Sequence, residues 1–376
     1  MNKVAILGFA RTPIGAQGGT LREVHPEKLG TAALTGAVQR AGLPEGALQR
    51  IGLGSLFDAG HGPNPARALI LEAGFEEAAA PLPTGFSVRA GGGSALEALA
   101  LLASELEGEA AAAAVGVDSA SLAPYLLPEA RHGSRLGHGR MLDAALRDAW
   151  VVSDEDLPLP ALAAICMQPL ELDRARFIEV RKRSLERARA AAGKGAVVPV
   201  GVPDQKGGET PCEKDDLPGE RELSRGDEVY AAPLADGAAA VVLSTLERAR
   251  ALGRESCARL VGLARASVES QKAPIAPAAA LARLLAAAGR KARDLRAVEV
   301  DESLFVGAEA ARRELDLLDD QLNPRGGAHA YGHPGGACGI RALVALLAQL
   351  ESRGGGLGAV AYGTGGGGAI ALLVER

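Results

Sequence analysis

GGGSALEALALLASELE, residues 91–107, and GGACGIRALVALLAQLE, residues 335–351, decide how this chain is organised. Set one under the other, they pair Gly91 with Gly335, Gly92 with Gly336 and Ser94 with Cys338. Ala98, Leu99, Leu102, Leu106 and Glu107 then fall on Ala342, Leu343, Leu346, Leu350 and Glu351. Each stretch reads as a glycine-rich turn that opens an apolar helix, and each is followed by a strand-like run. A match of this kind, with the same element order around it, predicts a duplicated core. Outward from the first copy, strand-like KVAILGFA (3–10), RIGLGSLFDAG (50–60) and EAAAAAVGV (109–117) alternate with helical PEKLGTAALTGAVQRAGL (26–43). The C-terminal third repeats the rhythm with CARLVGLARAS (257–267), APAAALARLLAAAG (276–289), AVEVDES (297–303), GAVAYG (358–363) and AIALLVE (369–375). Such alternation predicts an α/β fold. Between the copies the sequence is richer in proline and charge, with one amphipathic helix in LDRARFIEVRKRSLERARAAAG (172–193). The expected division is an N-terminal half over 1–117, an inserted loop or lid region over 118–235 and a C-terminal half over 236–376.

The chain has 376 residues and is 47% hydrophobic, enough for a sizeable core. Its 41 basic and 46 acidic side chains are interspersed and leave a net charge of −5, so neither a nucleic-acid face nor a disordered acidic arm is expected. MNKVAILGFARTPIG is too short in its apolar run to be a signal peptide, and the alanine-rich stretches are broken by Glu, Arg or Gly, so no membrane partner and a cytoplasmic location are expected. The four cysteines, Cys166, Cys212, Cys257 and Cys338, have no CxxC spacing and predict neither a zinc site nor a disulfide framework. With aromatics at 3%, close packing has to come from small side chains.

Six segments, in order along almost the whole chain, carry a resemblance. They are ARTPIGAQGGTL (10–21), GPNPARALILEAG (62–74), SLAPYLLPEARHGSRLGHGRMLDA (121–144), ADGAAAVVLS (235–244), NPRGGAHAYGHPGGACGIRAL (323–343) and GTGGGGAIALLVE (363–375). Together they resemble the thiolases, the group of acetyl-CoA acetyltransferases and 3-ketoacyl-CoA thiolases. The resemblance implies a five-layered αβαβα fold of two similar halves with an inserted loop domain, coenzyme A thioesters as ligands, no cofactor and no metal, and a homodimer.

Thiolase chemistry needs a thiolate to hold the acyl group, a second thiol to move protons, and donors for the developing oxyanions. The resemblance puts the nucleophile's position at Gly92 in SVRAGGGSALEAL and the second thiol's at Gly363 in AYGTGGGG. It puts an oxyanion-hole asparagine at Asp301, where a carboxylate would oppose enolate charge, and the histidine of the Gly-His-Pro motif at His333. Asp301 beside His333 is expected to raise the histidine's pKa and close an ion pair. His329 and Tyr331, in HAYGH, add polar side chains expected around the same site; a His329–His333 metal pair has no acidic third ligand nearby in sequence unless Asp301 supplies it. On the binding side, Ala232 falls where the resemblance implies a coenzyme A-contacting serine, and Cys166 beside Met167 where it implies a histidine before a methionine. Cys338 takes a helix-start position and is expected to be a buried neighbour of the cap.

With both thiols replaced, these residues predict a thiolase-like protein without thiolase activity, a structural or regulatory partner of an active thiolase or of a small acyl-CoA-binding protein. The alternative is a cysteine-independent carbon–carbon lyase or acyltransferase on an acyl-CoA, with His333, Tyr331 and Tyr362 moving protons.

Overall fold

The computed structural model describes residues 4–43, 46–75, 82–108, 111–133, 135–152, 157–220, 230–253 and 257–376. The first half runs β1 (Val4–Arg11), α1 (Pro26–Ala41), β2 (Leu48–Gly54), α2 (Pro65–Glu72), β3 (Thr84–Val88), α3 (Ser94–Glu105), β4 (Ala111–Ser119) and, after the long insertion, β5 (Ala235–Thr245). The second runs β6 (Ala258–Ser267), α4 (Ala276–Ala288), β7 (Leu295–Val300), α5 (Phe305–Glu314), α6 (Cys338–Ser352), β8 (Leu357–Gly365) and β9 (Gly368–Glu375).

Strand order makes the duplication explicit. Nine strands of the ten-stranded sheet follow the path β7-β8-β9-β6-β1-β5-β4-β2-β3, and the tenth, the two-residue strand Gly15–Ala16, pairs with β5 off that path. Read outward from the β1–β6 junction, each half gives the same series: β1-β5-β4-β2 on one side and β6-β9-β8-β7 on the other. The pairings agree as well: β2–β4 and β7–β8 are parallel, while β4–β5 and β8–β9 are antiparallel. The strand Ala235–Thr245, placed by the sequence reading at the boundary and opening of the C-terminal half, sits inside the first half's series between β1 and β4. Its eleven residues are buried throughout, so it reads as a continuous apolar run with nothing to mark which sheet it joins.

Helices cover the sheet in three layers. Alternate residues of β4 divide between two cores: Ala113 and Val115 face α1 and α2, while Ala112 and Ala114 face α3 and α6. α4 and α5 cover the outer face of the second half, with Leu281 and Leu284 against Leu373. The central layer is α3 beside α6, enclosed by inner faces of both halves, and Leu99 and Leu343, paired by the repeat, are each fully buried there. Each contributes about 2 kcal/mol through burial. The outer helices α1 and α4 begin with proline in the first turn and end on a left-handed glycine, Gly42 and Gly289, which are compatible start and stop signals. Small residues let the layers close up: a Cβ at Gly116 on β4 would meet the Ala337 Cα and Ile340 Cγ2, each at 2.7 Å, just where α6 begins.

The inserted region folds over one end. Its long helix Arg174–Ala191 is anchored by Arg176 on the fully buried Glu309 of α5, with hydrogen bonds of 3.0 Å to both carboxylate oxygens. Met167 and Cys166, from the helix Leu159–Met167, pack with Phe177 and Phe305.

Candidate active site

α3 and α6 lie side by side, so their glycine-rich openings meet. Gly339 N–H donates to Gly92 O at 2.9 Å and Gly93 N–H donates to Gly363 O at 2.8 Å, joining three segments far apart in sequence. These turns line a cavity of about 70 Å³ whose walls include Gly91, Gly92, Asp301 and Gly363, together with Leu159 of the inserted region and Leu304.

Two glycines of this lining have room for a side chain. A Cβ at Gly92 would lie 3.4 Å from Cys338 Cβ, 3.4 Å from Tyr362 Cδ1 and 3.5 Å from His333 Nε2, all ordinary contacts. A Cβ at Gly363 would meet only the Asp301 Oδ2, at 3.4 Å. Neighbouring Gly91 differs: its φ is +50° and a Cβ there would press on main-chain atoms of Gly365 and Thr364 at 3.0 and 3.2 Å. The side-chain space at 92 is thus bounded by one thiol-bearing residue, one imidazole and one aromatic ring.

Cys338 is the first residue of α6 and is almost fully buried. A helix N-terminus favours a thiolate. Burial first, and then Asp301, nevertheless push its thiol well above the ordinary cysteine range, with Arg341 acting in the opposite direction. His333 is held by its backbone, N–H to Pro233 O at 2.7 Å, and by its ring against Trp150 with centroids 5.0 Å apart. Its Nδ1 is buried and has no hydrogen-bond partner among the described residues.

The expected ion pair is absent, which corrects the reading of Asp301 and His333. Burial lowers the His333 pKa below the ordinary histidine value and outweighs the opposing influence of Asp301. The carboxylate is engaged with the backbone: Oδ1 accepts from Ser303 N–H at 2.9 Å and Oδ2 accepts from Gly363 N–H at 3.2 Å. His333 is therefore a neutral imidazole at neutral pH.

The remaining sequence candidates divide. His329 packs edge-on against Phe177 with centroids 5.2 Å apart, and its own backbone N–H donates to Glu302 Oε1 at 3.2 Å. Tyr331 lies between the guanidinium groups of Arg11 and Arg341, 5.4 and 5.2 Å from its ring, with its hydroxyl donating to Arg325 O at 3.2 Å. Neither meets the Gly92 space, so HAYGH supplies one side chain to that point, His333. Ala232 is buried with its N–H on Ser303 O at 2.7 Å, behind the Asp301 turn, and Met167 is buried in the packing of the inserted region. His329 and His333 share no cluster of three or more metal-ligating side chains among the described residues.

Sequence reading missed three supports. Trp150 had no motif around it. Tyr362 was expected only as a proton-moving group of the alternative reading, yet its ring borders the Gly92 space. Asp118, at the end of β4, ties the turn before α6 to β2: it accepts from Ser55 Oγ, Leu56 N–H, Phe57 N–H and Gly336 N–H at 2.6–2.9 Å. Burial lifts its pKa to about 6 despite these four donors. A lone aspartate ending an alanine-rich strand gave no sign of them.

Residues 4–247 match the family description "Thiolase, N-terminal domain" and residues 254–376 match "Thiolase, C-terminal domain". The chain belongs to the thiolase family. Acetyl-CoA acetyltransferase 2 of Arabidopsis thaliana is 33% identical over 99% of this chain and 96% of its own length. The acetyl-CoA acetyltransferase of Escherichia coli is 30% identical over the full length of both. Among solved structures, that of the Bacillus anthracis acetyl-CoA acetyltransferase superposes with a TM-score of 0.90 at 28% identity, covering 100% of this chain and 99% of that one. The five-layered thiolase fold expected from the resemblance is the fold observed.

The same similarity corrects the functional expectation. A fold kept only for a structural or regulatory role, or turned into a carbon–carbon lyase, is overturned by full-length relatives that are acetyl-CoA acetyltransferases at about 30% identity. The chain also keeps thiols, with Cys338 against the Gly92 space. No helix among the described residues is long and apolar enough to cross a membrane.

Proposed function

We propose that the protein is an acyltransferase acting on coenzyme A thioesters, with Cys338 as the acyl-carrying thiol. Gly92 and Gly363 then stand where the family resemblance implies cysteines, and the chemistry has moved to the neighbouring residue. The observation that carries this reading is the side-chain space at Gly92, bounded by Cys338 Cβ at 3.4 Å and His333 Nε2 at 3.5 Å, with Gly92 itself lining the cavity. A cysteine at 92 would fill that space; a glycine leaves it for the thioester carbonyl.

Free Cys338 is held as a thiol, so attack requires a base, and neutral His333 is the group at hand. The Cys338 proton passes to His333 Nε2 as Sγ bonds to the carbonyl carbon. The carbon–sulfur bond to coenzyme A then breaks, and the leaving thiolate takes the proton back from His333. In the second half-reaction Asp301 takes a proton from the α-carbon of another thioester, that carbon bonds to the acyl carbon, and the Cys338 thiolate released is reprotonated from Asp301. The Asp301 carboxylate is supplied as a base by the cavity wall facing Gly363. The homodimer implied by the resemblance belongs to this same proposal. Incubation with acetyl-CoA followed by peptide mass spectrometry tests it: an acetyl group on Cys338, lost in Cys338→Ala, is the expected result, and no adduct, or one confined to Cys212 or Cys257, would overturn it.

A further inference from the structure

Behind the Gly92 space lies a buried guanidinium that forms no ion pair among the described residues. Arg341 is 2% exposed, no carboxylate among the described residues lies within ion-pairing distance of it, and its Nη2 has no hydrogen-bond partner. A guanidinium in that state is costly, because desolvation is offset only by what it touches. What it touches is the Tyr362 hydroxyl, by a hydrogen bond, and the Tyr331 ring, 5.2 Å from its Cζ. Glu299, its neighbour on β7, is 1% exposed with an unpartnered Oε1. Burial lifts Glu299 to about 8 although Arg341 acts in the opposite direction, and Glu299 in turn favours the charge on the guanidinium.

Arg341 follows Cys338 by three residues on α6, so the two project from the same helix face. Tyr362, which holds the guanidinium, is also the ring 3.4 Å from the Gly92 Cβ position that Cys338 borders. The three side chains thus surround one buried point where negative charge develops when a thiol reacts.

We propose that Arg341, held in place by Tyr362, is a positioning residue that stabilises the thiolate of Cys338. This rests on the reading of Cys338 as the acyl-carrying thiol, but its test does not need turnover. Charged groups facing the thiol are Asp301 and Asp118, which oppose the thiolate, and Arg341, which favours it. Loss of Arg341 leaves the two carboxylates unopposed.

The test is the rate of iodoacetamide alkylation at Cys338, followed by peptide mass spectrometry across pH 7–9. Below a thiol's pKa the rate follows the thiolate fraction, so a one-unit rise lowers it about tenfold at every pH. Arg341→Met is expected to slow alkylation by about tenfold, Arg341→Gln to do the same should methionine not fold, and Arg341→Lys to restore most of the rate. Simple loosening of the core moves the readout the other way, since exposure speeds alkylation. Neutral variants reacting as fast as the parent protein or faster, or a Cys338 resistant to alkylation in every form, would overturn the proposal. If acetyl-CoA leaves no adduct while Arg341→Met still slows alkylation, the acyl-carrier reading fails and the electrostatic one stands.

Discussion

Replacing Gly92 and Gly91 in turn separates two explanations for a glycine in the cavity lining. In Gly92→Ala the new Cβ meets Cys338 Cβ, Tyr362 Cδ1 and His333 Nε2 at 3.4–3.5 Å, with no left-handed backbone to strain. Reduced entropy of the unfolded chain favours alanine by about 0.4–1 kcal/mol, so stability should stay within about 1 kcal/mol of the parent protein. Gly91→Ala carries a φ of +50°, which costs an alanine about 1–2 kcal/mol, and its Cβ meets backbone atoms at 3.0 and 3.2 Å that cannot rotate away. Its loss should be about 2 kcal/mol or more, readable as a lower urea midpoint at unchanged slope. Function should separate the same pair in reverse. Gly92→Ala keeps the fold but fills the space over Cys338, so acetylation by acetyl-CoA should slow by at least about tenfold, a barrier change of about 1.4 kcal/mol. Equal destabilisation by both substitutions would refute the steric reasoning, and a Gly92→Ala protein acetylated at the parent rate would refute the role given to the empty space.

His333 should titrate below the ordinary histidine value, so the folded protein resists protonation that the unfolded chain accepts. Stability from its neutral form is present above about pH 6.5 and is lost as pH falls toward the lowered folded pKa. His333→Gln should flatten the fall of the urea midpoint over that range; an unaltered slope would count against the burial argument, and NMR titration of His333 reads its direction independently. Asp118→Asn should cost about 2–3 kcal/mol, because an amide nitrogen would replace one of two oxygens that between them accept three main-chain N–H groups and a hydroxyl. A thermal midpoint unmoved by that change would mean the turn before α6 does not depend on Asp118.

The repeat was legible because helix-opening glycines and leucine spacing survive duplication, and the two helices begin where the aligned Ser94 and Cys338 stand. The assignment of strand Ala235–Thr245 was not, since a strand buried on both faces carries no period to mark its partners. At the site, Gly92, Gly363, Asp301 and His333 come together as their motifs implied. The sign of the His333 shift was unreadable, because it depends on how far burial outweighs a neighbouring carboxylate. HAYGH misled for a geometric reason: its short helical turn, Ala328–Tyr331, sends His329 toward Phe177 and Tyr331 toward Arg11 and Arg341, while His333 follows beyond the left-handed Gly332. Cys338 is the buried helix-start residue that its position predicted, and only the folded chain shows its Cβ within contact of the Gly92 side-chain space.

The central claim is acyl transfer between coenzyme A thioesters through Cys338, and isotope exchange tests it most directly. Purified protein is mixed with acetyl-CoA and labelled free coenzyme A, and label entering acetyl-CoA is followed alongside Cys338→Ala. The account predicts exchange that depends on the protein, saturates with acetyl-CoA and vanishes in Cys338→Ala. Exchange no faster than in buffer, or undiminished without the Cys338 thiol, would contradict it.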